Sequence, residues 1–163
     1  MYDTPRSIEE LLQMLSDAPR RIAELTEGLP ASQMLIPPAE GEWSERDVLA
    51  HLRACSDMWG KYIRLILSED RLTFKAVSPR TWVRQTNYLE LQFETSFQAF
   101  SAQRLALVAL LTELAPEDWA RSAIVTGAGK PRERTVYTYA QWLANHERSH
   151  FRQIGKIAEA ERR

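Results

Sequence analysis

Residues 138–157 read TYAQWLANHERSHFRQIGKI. Within this stretch Tyr139, Leu143, His146, His150, Ile154 and Ile157 recur at steps of four, three, four, four and three, the period of one helix face. Two of these positions are histidines one turn apart. Residues so placed stand about 5 to 6 Å apart at Cβ, so both imidazoles can converge on one ion. A face that mixes ring nitrogens with apolar residues needs partner helices to receive it, and three more segments of the chain carry the helical period.

The first is predicted over residues 7–27. Ser7 with Glu10 forms a capping box, Leu11, Leu12, Leu15, Ile22 and Leu25 follow at helical intervals, and Gly28 ends the run. Pro19 removes an amide donor inside it and predicts a kink or restart. After the breaker-rich connector LPASQMLIPPAEGEW, Ser44 and Asp47 repeat the capping signature. The second helix then carries Val48, Leu52, Cys55, Trp59, Tyr62 and Ile66 as a seam and fades near Ser68. From Val83 to Leu114 there is neither Gly nor Pro, which predicts one long third helix with Phe93, Phe97, Phe100, Leu107, Leu111 and Leu114 on its face. Arg104 falls on that apolar stripe and must snorkel or pair. Two β-prone pieces flank the turn at 127–131 and predict a small hairpin or irregular excursion. The last helix is expected to open at Thr138, with Gln141 completing its capping box, and to run into the charged tail. The reading is an all-α four-helix bundle forming one domain over residues 1–163.

The chain has three histidines in all. His51 lies one turn before Cys55 and beside the Leu52 seam, so it joins His146 and His150 if the second helix neighbours the last. Polar rings on inward positions each need a partner, and one shared ion supplies all three. Three neutral imidazoles suit Zn²⁺, Ni²⁺ or another late first-row divalent metal and leave a coordination position open. The string HERSH also matches H-E-x-x-H, the metalloprotease helix with Glu147 as general base. Its continuation FRQIGK holds no third histidine, and 13 residues after His150 leave no room for a distal glutamate helix, so the protease reading fails.

Other residues near the triad carry two readings each. Glu147 is a solvated acid pairing with neighbouring arginines, or a base or support for the site. Asp47 caps its helix or orients His51. Cys55 is a small core residue, or a ligand or nucleophile. Trp43, Trp59, Trp142 and Phe151 fill the core or wall a pocket above the metal. Lys130, Arg132 and Arg134 form a solvated basic loop or meet an anionic substrate.

Composition narrows the function classes. Lys plus Arg number 21 against 22 Asp plus Glu, which provides no broad positive field for nucleic acid. No stretch approaches the ~20 apolar residues of a membrane span. A lone cysteine makes no internal disulfide, and the opening MYDTPRSIEELLQML lacks the pattern of a signal peptide, so a cytoplasmic, reducing setting is expected.

EWSERDVLAHL and NHERSHFRQIGKI together resemble the DinB-like superfamily of bacterial metalloproteins, across nearly the whole chain. In that family a Trp precedes a capped helix bearing an inward histidine, and the last helix carries H-x-x-x-H. These positions are Trp43, His51, His146 and His150 here. The resemblance implies that the second helix lies beside the last, that all three histidines bind a divalent metal, and that the protein forms a homodimer. It also implies thiol-dependent S-transferase or isomerase chemistry, as in mycothiol-dependent maleylpyruvate isomerase, with the metal activating a low-molecular-weight thiol such as mycothiol, bacillithiol or glutathione.

Three readings follow. The first is a metal-dependent S-transferase, isomerase or hydrolase acting on a small electrophile through a metal-activated thiol or water. The second is a non-catalytic metal-binding module for stress response or ligand binding. The third is a metal-free helical interaction protein.

Overall fold

The computed structural model describes residues 4–163. Four long helices form the body: α1 (Ile8–Leu25), α2 (Glu45–Ser68), α4 (Phe93–Thr112) and α6 (Val136–Glu161). Between α2 and α4 come strand β1 (Thr73–Lys75) and the short helix α3 (Pro79–Arg84). Between α4 and α6 come α5 (Pro116–Trp119) and strands β2 (Ser122–Thr126) and β3 (Arg132–Thr135). No helix among the described residues is long and apolar enough to cross a membrane.

Two of the three predicted capping boxes close, at Ser7 and Ser44. The Ser7 hydroxyl accepts from Glu10 N–H at 3.1 Å while the Glu10 carboxylate accepts from Ser7 N–H at 2.7 Å. Asp47 accepts from both Ser44 N–H and the Ser44 hydroxyl, at 3.1 and 2.9 Å. Pro19 lies within α1 without ending it. The last helix starts a turn earlier than expected, because Thr135 rather than Thr138 is its cap and accepts from Thr138 N–H at 3.0 Å.

The third predicted helix is corrected at its start. Residues 83–92 do not join α4: Val83 and Arg84 close α3, and a single 3₁₀ turn spans Tyr88–Glu90. Thr86 explains the break. Its hydroxyl donates to Val83 C=O at 2.8 Å and accepts from Tyr88 N–H at 3.3 Å, a local alternative to helical bonding. Tyr88 then anchors the segment on α2, donating to Asp57 Oδ2 at 2.6 Å beneath the Arg53 guanidinium, which lies 3.7 Å from the ring centre.

The helices pack in an order that differs from their order in the chain. α1 packs on α4 and α6, and α2 likewise packs on α4 and α6. Two consecutive pairs therefore stand on diagonals, α1 across from α2 and α4 across from α6, while α2 and α4 are neighbours. The predicted neighbourhood of α2 and α6 holds. The predicted hairpin is β2 paired antiparallel with β3, and β1, absent from the sequence reading, pairs parallel with β2, Phe74 opposite Val125. Gly127, with φ +97°, turns the chain between the hairpin strands, and a Cβ there would come within 2.7 Å of Ala76 C=O.

At the middle of the bundle sits Arg104, 1% exposed. Its guanidinium spans the diagonal from α4 to Glu147 on α6 with two contacts: Nη1 to Oε2 at 3.0 Å, and Nη2 to Oε1. It also donates to Leu15 C=O on α1 at 3.1 Å and to the Ser56 hydroxyl on α2 at 3.2 Å. Ser56 stays satisfied by donating onward to Gln103 Oε1 at 2.6 Å. One side chain thus ties all four long helices. Burial pushes the Glu147 carboxyl upward, and the adjacent guanidinium pulls it back. The solvated reading of Glu147 is overturned, since this residue is 1% exposed.

Removing one partner of a buried ion pair leaves an uncompensated charge. Glu147→Gln is expected to lower the unfolding free energy in urea by about 3 kcal/mol or more, whereas Arg104→Met combined with Glu147→Leu recovers most of that loss. A loss under about 1 kcal/mol in the single variant would mean that the pair carries no such strain on removal.

Candidate metal centre

The Arg104–Glu147 contact sets the rotation of α6. The fully buried stripe of that helix runs through Val136, Ala140, Leu143, Glu147, Ile154 and Ala158, and the two histidines sit on its flank. His51, His146 and His150 are each half-buried. That flank faces α2, and the three rings meet there.

His146 Nε2 lies 3.1 Å from His51 Nε2 and 3.1 Å from His150 Nε2. Ring centroids are 5.0, 4.5 and 4.8 Å apart for the pairs 51–146, 146–150 and 51–150. Gln153, one turn after His150, accepts from its Nδ1–H at 2.9 Å through Oε1. This fixes the His150 proton on Nδ1 and leaves Nε2 a lone pair. His146 Nε2 carries either one proton or one lone pair, so at most one of its two 3.1 Å contacts can be a full hydrogen bond. A cation among the three nitrogens removes that conflict. Tetrahedral coordination at the ~2.05 Å zinc–imidazole distance separates neighbouring nitrogens by about 3.3 Å, close to the two spacings from His146.

Electrostatics keep the rings neutral. Burial, with the neighbouring His150 ring adding to it, holds His51 down to about 4. Burial and the two other rings hold His146 down to about 3. His150 is also lowered by burial, against the opposing hydrogen bond to Gln153. Neutral imidazoles are the ligating form.

The aromatic residues divide between roles. Trp43 stacks on His150 with centroids 6.3 Å apart and planes 9° apart, and its centroid is 5.3 Å from that of His51. Trp59 meets His146 edge to face at 5.3 Å. Phe151 is core, buried with Ile22, Phe100 and Ile154. A cavity of about 680 Å³ opens beside the rings, bounded by Trp43, His150, Gln153, Glu42 and Lys156.

Two further sequence candidates find their places. Asp47 is occupied at the α2 cap and touches no histidine among the described contacts. Cys55 is buried, with Sγ 3.6 Å from His51 Nε2, so His51, Cys55 and His146 form a compact donor set whose ligand atoms all lie within 4.8 Å of one another. Burial pushes the Cys55 thiol up to about 12. Gln153 was absent from the candidates, although its position three residues after His150 on one helix face is the signal that finds it.

A family model described as the DinB superfamily matches residues 14–154, which include all three histidines. The chain belongs to the DinB superfamily. Among solved structures, this DinB-superfamily chain is similar to one described as "YfiT from Bacillus subtilis is a probable metal-dependent hydrolase with an unusual four-helix bundle topology". The two share 18% identity over 96% of this chain and 91% of that one, with a TM-score of 0.80. That likeness establishes the fold, including its helix order. No curated protein matches the chain significantly.

The depressed ring pKa values have a measurable consequence. Unfolded histidines protonate near pH 6.5, whereas folded His146 resists protonation down to about 3, so acid favours the unfolded state from pH 6.5 downward. In metal-free protein, the wild type is expected to lose on the order of 1–2 kcal/mol more than His146→Gln between pH 7 and pH 5, read from urea unfolding. Parallel pH profiles would mean that His146 titrates normally in the fold.

Proposed function

We propose that the chain is a metal-dependent enzyme acting on a small electrophilic molecule, with hydrolysis as its reaction, and that His51, His146 and His150 hold its divalent ion. The observation that carries this reading is the convergence of three neutral rings, with His146 Nε2 3.1 Å from both His51 Nε2 and His150 Nε2, and with His150 lining an open cavity. The description of YfiT as a probable metal-dependent hydrolase on the same fold supports it. When bound, such an ion supplies Lewis acidity that lowers the pKa of a coordinated water or thiol to near neutrality. Zinc and nickel suit the nitrogen donors.

The chain's own residues do the rest. Gln153 holds the His150 proton on Nδ1, so the donor nitrogen faces its partners. Trp43 stands parallel to His150 and lines the cavity beside it. Arg104 and Glu147 lock α6 so that its histidines cannot rotate away from His51. The three-histidine set is preferred over the set that includes Cys55, because that thiol is fully buried and held strongly protonated, whereas His150 already presents a free lone pair.

Metal analysis of untagged protein tests the assignment. Wild type is expected to carry about one divalent ion per chain. His146→Ala and His150→Ala lose it, while Cys55→Ala keeps it. Equal metal in wild type and His146→Ala would overturn the site, and loss in Cys55→Ala with retention in His150→Ala would replace it by the cysteine-containing set. The reaction is tested by chelation and metal add-back across a panel of small esters and amides. A parallel panel of electrophiles with glutathione, bacillithiol or mycothiol reads out thiol transfer. Turnover confined to the thiol panel would replace hydrolysis by S-transfer.

A further inference from the structure

A second cavity, of about 310 Å³, lies between α2, α6 and the small sheet. Its volume falls at the lower end of small-molecule sites. Trp59, Tyr62, Tyr139 and Trp142 supply aromatic walls, with Trp59 and Trp142 edge to face at 6.4 Å and Tyr139 and Trp142 at 5.7 Å. Lys130, Arg132 and Arg134 line the same space, and no acidic residue does. The Arg134 guanidinium lies 4.5 Å from the Trp142 ring centre. None of the three cations pairs with a carboxylate among the described residues.

Tyr139 adds an independent observation. The residue is 2% exposed and lines the cavity, yet its hydroxyl has no hydrogen-bond partner among the described residues. Tyr62, its aromatic neighbour at 5.5 Å, is by contrast satisfied, accepting from Val77 N–H at 3.2 Å. Burial raises the Tyr139 phenol, so it remains a donor. The hydroxyl oxygen itself keeps accessible surface, so it presents a free donor to whatever fills the cavity. Here the available donors are one phenol and three cations, all of which match an acceptor bearing negative charge.

We propose that this cavity binds an aryl carboxylate, its ring among Trp59, Tyr139 and Trp142 and its carboxylate on the Tyr139 hydroxyl and the Lys130, Arg132 and Arg134 cluster. The site is separate from the histidine centre, although Trp59 touches both. Occupancy therefore needs no metal.

The probe is 1-naphthoate, with neutral 1-naphthamide as its matched control, titrated into the full chain with and without chelator and followed by tryptophan fluorescence and calorimetry. Saturable binding of one naphthoate per chain is expected, with the amide at least about 10-fold weaker. Tyr139→Phe removes a hydroxyl that bonds nothing in the protein, so it is expected to keep the melting temperature while weakening naphthoate several-fold. Lys130→Gln combined with Arg132→Gln, both on the exposed rim, is expected to weaken it about 10-fold. Equal affinity for acid and amide, or no effect of either variant, would overturn the proposal. So would binding that appears only with metal present, which would place the naphthoate on the histidines instead.

Discussion

The fold depends on one buried contact, the Arg104 guanidinium against the Glu147 carboxylate. Two charges enclosed by aliphatic helices are costly to desolvate, and their mutual contact with further hydrogen bonds offsets that cost. The two terminal nitrogens are partnered from the other three long helices at once, through Leu15 C=O, Ser56 and Glu147 around one α4 side chain, while Nε has no partner among the described residues. A rotation or one-turn slip of any helix would strip a partner from the guanidinium. The contact therefore selects one packing among the many that an aliphatic core would allow, a role for which buried polar groups have precedent. Its consequence for chemistry is direct. Glu147 follows His146 in the chain, so fixing its rotation aims both α6 histidines at α2.

This coupling also marks the boundary of what the sequence discloses. Capping boxes at Ser7 and Ser44 are local, spanning three residues, and both form as read. The convergence of His51, His146 and His150 is legible because each lies within an apolar helical seam. Arg104 and Glu147 each stand out singly, one as a cation on an apolar stripe and the other as an acid between two histidines. Their pairing is hidden, because the partners are 43 residues apart and meet only once α4 and α6 stand across the diagonal. The break at Thr86 is hidden for a different reason: the absence of Gly and Pro permits a helix without requiring one, and a threonine hydroxyl bonding its own neighbourhood was enough to end it. Strand β1 is three residues long and exists only through its parallel pairing with residues 124–126.

Half-burial suits the histidine centre. Full burial would shut out a substrate, and full exposure would let the rings protonate near pH 6.5 and lose their lone pairs. At intermediate depth the rings stay neutral through neutral pH, and His150 still borders open space. Cys55 shows the other limit. One turn from His51 but fully buried, its thiol is held at about 12, a poor donor unless a cation displaces the proton.

The diagonal order of the helices has a further consequence that reaches beyond packing. Joining α1 to α2, and α4 to α6, across a bundle end requires connectors longer than the short turns of an up-and-down bundle. In this chain those connectors are not idle. Residues 26–44 deliver Trp43 onto His150. Residues 69–92 and 113–135 supply the sheet that closes the cationic cavity against Trp59 and Tyr139. The helices thus contribute the donors, held by Arg104, while the two diagonal crossovers and the connector between the neighbouring helices α2 and α4 contribute the walls. Divergence in the connectors can then change what the bundle admits without disturbing the histidines, because no connector residue takes part in the Arg104 contact that aims them.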